Sequence, residues 1–504
     1  MKKYLGIIAL VLVFAVVFTS CKKPVEGGVS SEESKVVESK EIEVDSEIPD
    51  AENYPNTPVK AFPFNAKQTM QYEATYKKYF PDNYKFDFTP TGTDESFVTK
   101  VEKDMEAVYA LARKVDTEKN SVKAFGAVGD GKTDDTQAFM TALKETKSKI
   151  YIPEGEYVIT KQIGINGKNI VIYGNNATIL LTADVSFIRG VSLNGVLIKG
   201  LNIKKTFVDN SVAYGVFITN SSNVVIDNNE VSGLGGRAGF AVGTTTNFII
   251  ANNYSHDFSA SKIGALADGK EQDSWGIEVN DGSKNGIVRN NTIENLTTEE
   301  PNFSARFVQT DGIYSGGRNE NILIEKNKIT KVGEGIDLGK NKNVILRENT
   351  IIDIWVWGIK IGQGSRNCLV EKNYLEECGM AALYCYANMY QNGSQEQAYY
   401  RQNVCVNTAK NELKPGSGTD RGIIHFEGND QTAPDGNEPL AKCINNCAEY
   451  NVGLELDSAP AIGYGIKEHE TARDNIFRYN YFEGNITIES LSAESKARYI
   501  NYKK

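Results

Sequence analysis

The stretch QTDGIYSGGRNENILIEKNKITKVGEGIDLGKNKNVILRENT, residues 309–350, states one pattern twice: a carboxylate, Gly-Ile, an Asn-bearing turn and an Ile-rich strand. With the glycine as marker the pattern recurs at Gly215, Gly239, Gly276, Gly312, Gly335 and Gly358, at intervals of 24, 37, 36, 23 and 23 residues. A second marker at Asn223, Asn247, Asn285, Asn321, Asn343 and Asn367 steps 24, 38, 36, 22 and 24. The two series agree, and each long interval is one period plus an insertion of about 13 residues. A unit of this length cannot bury an apolar face alone, so consecutive units must stack. Short strands, a period near 23 residues and an Asn turn ladder are what a parallel β-helix needs.

Stacking converts sequence offset into position, because residues at one offset from the marker lie on neighbouring coils about 4.8 Å apart. Offset +1 reads Ile277, Ile313, Ile336 and Ile359, a core row. Offset +2 therefore points outward and reads Glu278, Tyr314, Asp337 and Lys360. Offset −1 reads Trp275, Asp311, Glu334 and Trp357. Strict alternation would send that row inward, where stacked carboxylates are too costly, so the chain is expected to bend before the glycine and expose it. Trp355 is the remaining tryptophan, which places every indole on these few coils. Indole faces suit sugar C–H surfaces, and paired carboxylates supply the acid and base of glycosidic cleavage. The competing structural reading gives the tryptophans edge packing and the acids turn hydrogen bonds.

The rest of the chain sets the context. Residues 1–21 carry two lysines, an apolar run and Thr19-Ser20-Cys21, a secretion signal of lipoprotein type with Cys21 as the lipidated residue. Residues 22–60 are rich in Ser, Glu, Val and Pro and read as a solvated tether, which implies a cell-envelope location and a membrane partner through the lipid anchor. Residues 61–120, with KDMEAVYALARK, read as a short helical lead-in, and residues 121–504 as the β-helix. Long loops are expected near 256–273, 296–308 and 408–440. A net charge of −10 argues against nucleic acid as partner, and three histidines leave little for a histidine-based metal site. The cysteines beyond Cys21 lie at 368, 378, 385, 405, 443 and 447; disulfides and buried free thiols are both open, and Cys443-x-x-x-Cys447 lacks a second half for zinc.

The segment FGAVGDGKTDDTQAFMTAL followed by IYIPEGEYVI resembles the opening of the pectate-lyase-like superfamily of right-handed parallel β-helices. That resemblance implies an all-β, single-stranded right-handed solenoid with an N-terminal capping helix. Asp130, Asp134 and Asp135 are assigned to turn and helix-cap chemistry rather than to a metal cluster. QTDGI, VGEGI and VWGIKIG on successive coils are similar to the N-T-D-G-I, G-D-D-C and G-H-G motifs of polygalacturonase-type glycoside hydrolases. By register Asp311 matches the first Asp and Glu334 the second Asp of the pair; Gly333 and Trp357 depart from the motif, and the R-I-K triplet is missing.

The expected function is polysaccharide cleavage, with Asp311, Glu334, Asp337, Lys360 and Tyr314 as catalytic candidates and Trp275, Glu278, Trp357 and His256 as substrate contacts. A lyase or uronate epimerase on the same fold is the alternative. It would use Lys360 or Tyr314, with Ca2+ held near Glu278, Asp281 and Asp337; the hydrolase needs no cofactor or metal. A glycan-binding or adhesive surface protein is the third reading. His256 and Asp257 begin a long loop that could reach the groove. His425 and Glu427 lie on a late coil and are read as structural, before a C-terminal cap near residue 485.

Overall fold

In the computed structural model the described residues are 60–206, 213–259, 274–297, 310–387, 394–409, 421–428, 441–457, 463–469, 472–484, 487–496 and 499–500. All lie in the compact unit Ile42–Lys504. Cys21 and almost all of the tether fall outside them.

Each coil contributes three short strands. In one coil these are Thr310–Gly316, Glu320–Glu325 and Lys328–Val332, and the next coil repeats them at Glu334–Gly339, Lys342–Arg347 and Thr350–Ile354. The first strands stack into a parallel sheet of 12, here the first face; the others form the second and third faces. Ile277, Ile313, Ile336 and Ile359 pair in register and are fully buried, as the offset arithmetic requires, and Leu383, Ile424 and Ile466 extend the row.

The marker glycine sits at the corner entering the first face. A Cβ at Gly312 would stand 2.5 Å from Ile329 Cγ2 and 2.6 Å from the Gly335 carbonyl, so any side chain would force the coils apart. Gly and the following Ile both face inward, and offsets −1 and +2 are left on the outer side. Asn223, Asn247, Asn285, Asn321, Asn343 and Asn367 all adopt positive φ, and side-chain amides link successive members from Asn223 to Asn343. A second, buried ladder runs Asn229, Asn253, Asn291, Asn327, Asn349, Asn373, Asn403, Asn451 and Asn480. It satisfies amide groups that a solenoid interior would otherwise strand.

At the N-terminal end the helix Thr136–Glu145 covers the first coils. Asp134 accepts from the Thr136 amide, Asp130 from Lys132 and Thr133, and Asp135 from Val128 and Gly129, so the three aspartates do turn and cap work. Strands extend into two of the expected loops, as Tyr254–Ser259 and Thr292–Thr297, while residues 260–273 and 298–309 fall outside the described residues. Gly422–Glu427 is a first-face strand inside the third expected loop.

The lead-in is more than a helical entry. It runs along the third face through Phe62–Tyr254, Asn65–Glu294, Thr69–Glu376 and Tyr76–Tyr450. It then returns along the second face through Thr89–Glu449, Asp94–Asn343, Glu95–Arg347 and Glu102–Arg289. Helix Ser96–Ala110 buries Phe97, Val101, Met105 and Val108 against an outward apolar row that includes Val225, Ile249, Ile287, Leu323, Ile345 and Leu369. Among the described residues these strap contacts fall on the second and third faces and leave the first.

Candidate functional site

The two outward rows of the first face meet along a diagonal: a residue at offset −1 reaches the offset +2 residue of the next coil. Trp275 stacks on Tyr314 at 4.6 Å, Glu334 Oε2 accepts from Lys360 Nζ at 2.8 Å, and Trp357 stacks on Tyr384 at 4.6 Å. Asp337 also accepts from Lys360 at 2.9 Å, and the Asp311 carboxylate acts electrostatically on the same ammonium. Asp311 and Glu334 are register partners, so their backbones are one coil apart. Lys360 Nζ also lies 5.0 Å from the Trp357 ring. The predicted Asp311, Glu334, Asp337, Lys360 and Tyr314 therefore form one cluster flanked by two aromatic stacks.

The expectation of an exposed stripe is overturned. Asp311 is 0 % exposed, Glu334 2 % and Lys360 5 %. The row leaves the isoleucine core, as the bend requires, but is enclosed. Lys360 makes this tolerable, since buried carboxylates persist when a cation and hydrogen bonds meet them. Burial alone would lower the Lys360 pKa, but the carboxylates of Asp337, Glu334 and Asp311 outweigh it and hold the ammonium above lysine's ordinary range. Tyr314 is raised by burial first and then by Asp337, Asp311 and Glu278, which keeps the phenol protonated. Neither group is set up to accept a proton near neutrality. Lys360 is a fixed cation, Tyr314 a donor, and the carboxylates are the groups left for proton transfer.

The remaining candidates divide by face. Trp275 is in the site, and Glu278 lies beside it on the same face. The Glu278 pKa is raised by burial although Arg237 stands 3.8 Å away. Glu278 thus faces Arg237 while Asp337 faces Lys360, and among the described residues no group of three or more His, Cys, Asp or Glu side chains is arranged to hold a metal. Asp281 is an exposed turn residue at positive φ. His256 belongs to the third face, not to the site rows; its ring bonds Glu230 at 3.2 Å and Asp257 at 2.8 Å. Burial lowers the His256 pKa, but these two carboxylates outweigh it and raise the value overall.

Two contributors, Arg237 and Tyr384, were missed by the sequence reading. Arg237 lies 4.7 Å from the Trp275 ring and donates to the Tyr214 hydroxyl at 2.8 Å. Tyr384 donates to Glu427 at 2.7 Å, and the His425 ring lies 5.4 Å away, so the pair read as structural adjoins the aromatic end of the site. The glycine series stopped at Gly358 because Ala382 occupies the next marker position; continuing the 23–24-residue step past it would have placed Tyr384 at offset +2.

The family described as rhamnogalacturonase A/epimerase, pectate lyase-like, matches residues 120–378, and a right-handed β-helix region matches residues 274–487. Solved structures with the same fold include the Agl-KA catalytic domain, at 16 % identity over 76 % of this chain and 66 % of that one with a TM-score of 0.51. The family 28 exopolygalacturonase of Yersinia enterocolitica aligns at 12 % identity over 76 % of this chain and 77 % of that one, also with a TM-score of 0.51. A stretch of 77 residues, 15 % of this chain, is 42 % identical to the pre-neck appendage protein of Bacillus phage B103 and spans 8 % of that relative's length. At such identities the structural likenesses establish the fold and leave the chemistry to the site.

Proposed function

The chain belongs to the rhamnogalacturonase A/epimerase, pectate lyase-like family, and on that premise we propose that its first face binds a polysaccharide and cleaves its glycosidic bonds. The observation that carries the reading is the Asp311–Glu334 register pair, with Glu334 bonded to Lys360, lying between the Trp275–Tyr314 and Trp357–Tyr384 stacks on the face the strap does not cover. In this reading Glu334, bonded to the Lys360 ammonium, acts as the carboxylate and Asp311 delivers the proton to the leaving oxygen, which requires the enclosed pair to open when the substrate docks. The aromatic stacks set the sugar rings across the pair. A lyase or epimerase is the second reading, favoured by Tyr314 beside the acids; the raised pKa of its phenol counts against it as the base.

The test is digestion of a panel of uronate-containing and neutral polysaccharides, following reducing ends together with the ultraviolet absorbance of unsaturated uronates. Reducing ends without that absorbance are expected. A parallel rise in absorbance would transfer the assignment to a lyase, solvent deuterium entering uronate C5 without cleavage would transfer it to an epimerase, and binding with neither change would make the protein an adhesive or glycan-binding one. The proposal also places the protein at the cell envelope, held by lipid on Cys21, on the evidence of residues 1–21. Mass spectrometry of membrane fractions should find an acylated N-terminal cysteine; an intact Met1 would remove the anchor.

A further inference from the structure

Six cysteines lie among the described residues, all buried, and one pair stands apart. Cys385, on the first-face strand Ala381–Tyr386, and Cys443, at a bridge between Gln395 and Ala472, are 58 residues apart in sequence. Their sulfurs lie 3.5 Å apart. Both side chains are fully buried in the main core, and Asn446 Nδ2 stands 3.4 Å from Cys443 Sγ, fixing that sulfur's position. Two thiols at van der Waals distance across stacked coils have the approach a disulfide needs.

We propose that Cys385 and Cys443 form a disulfide in the exported protein, an inference that rests on the export signal but not on the catalytic reading. The covalent step is thiol–disulfide exchange with an envelope oxidant that carries a disulfide. One cysteine thiolate attacks it and forms a mixed disulfide; the second displaces the oxidant's sulfur, so that the two cysteines are oxidised, the oxidant leaves as a dithiol, and the thiol protons pass to it and to solvent. In the closed core burial pushes the Cys443 thiol up and disfavours the thiolate, so exchange belongs to folding, before these coils close. The linkage spans the strand Gly422–Glu427, which brings His425 and Glu427 to Tyr384, and so ties the aromatic end of the site to the coils behind it.

Protein from the envelope fraction, unfolded in iodoacetamide without reductant, is expected to retain two unalkylated cysteines and to gain two more carbamidomethyl groups when it is reduced before alkylation. Fragment ions should join Cys385 to Cys443. Reductant should lower the melting temperature of the parent and leave Cys443→Ser unchanged. Alkylation of all six cysteines, or a cross-link joining Cys385 to any other, would overturn the assignment.

Discussion

Replacing Lys360 with methionine should destabilise the protein by about 3–5 kcal/mol, the usual cost of removing one partner from a buried ion pair. Methionine keeps most of the stem volume, so lost packing is a small part of the effect. What remains is Glu334 and Asp337, each nearly inaccessible and each deprived of a hydrogen bond below 3 Å. Denaturant titration monitored by far-ultraviolet circular dichroism reads the change. A loss under about 1 kcal/mol would mean that Lys360 is not what permits acids to be buried on this face. Glycosidic cleavage should fall with it, because the cation orders both carboxylates.

The second large effect is catalytic. Asp311→Asn and Glu334→Gln should each lower kcat by about 10²–10⁴-fold, the contribution typical of a positioned acid or base. Both are near-isosteric. Asp311→Asn is the cleaner test, since Glu334→Gln also removes a carboxylate hydrogen-bonded to Lys360 and should cost stability. Reducing-end assays at saturating substrate, with thermal melts of each variant, separate the two consequences. Activity at the parent level in both variants would end the glycosidase assignment.

The extent to which the site could be read from sequence follows from the repeat. A period of 23–24 residues fixes the register, and register alone places Asp311 beside Glu334 and stacks Ile313 on Ile336. Burial of the acids was not readable, because it depends on a diagonal contact between rows that offsets treat separately: Glu334 at −1 meets Lys360 at +2 one coil later. The strap was hidden for a different reason. Triplets such as Val224-Val225-Ile226, Ile322-Leu323-Ile324 and Val344-Ile345-Leu346 are apolar at successive positions, the mark of strands buried on both sides. The middle residues Val225, Leu323 and Ile345 point away from the solenoid core toward Met105 and its neighbours, and nothing in the period names their partner. His256 shows the opposite error. Proximity to a loop suggested the groove, whereas its register with Ser232 and Glu294 assigns it to the third face.

The proposed substrate would lie on the first face, across Asp311 and Glu334. The most direct measurement is a crystal structure of the Asp311→Asn variant with an oligosaccharide of the cleaved polymer. Sugar rings are expected between Trp275 and Trp357, with the scissile oxygen within hydrogen-bond distance of residue 311 or Glu334. Sugar bound on the second or third face, against the strap, or on the first face beyond reach of both residues would contradict it.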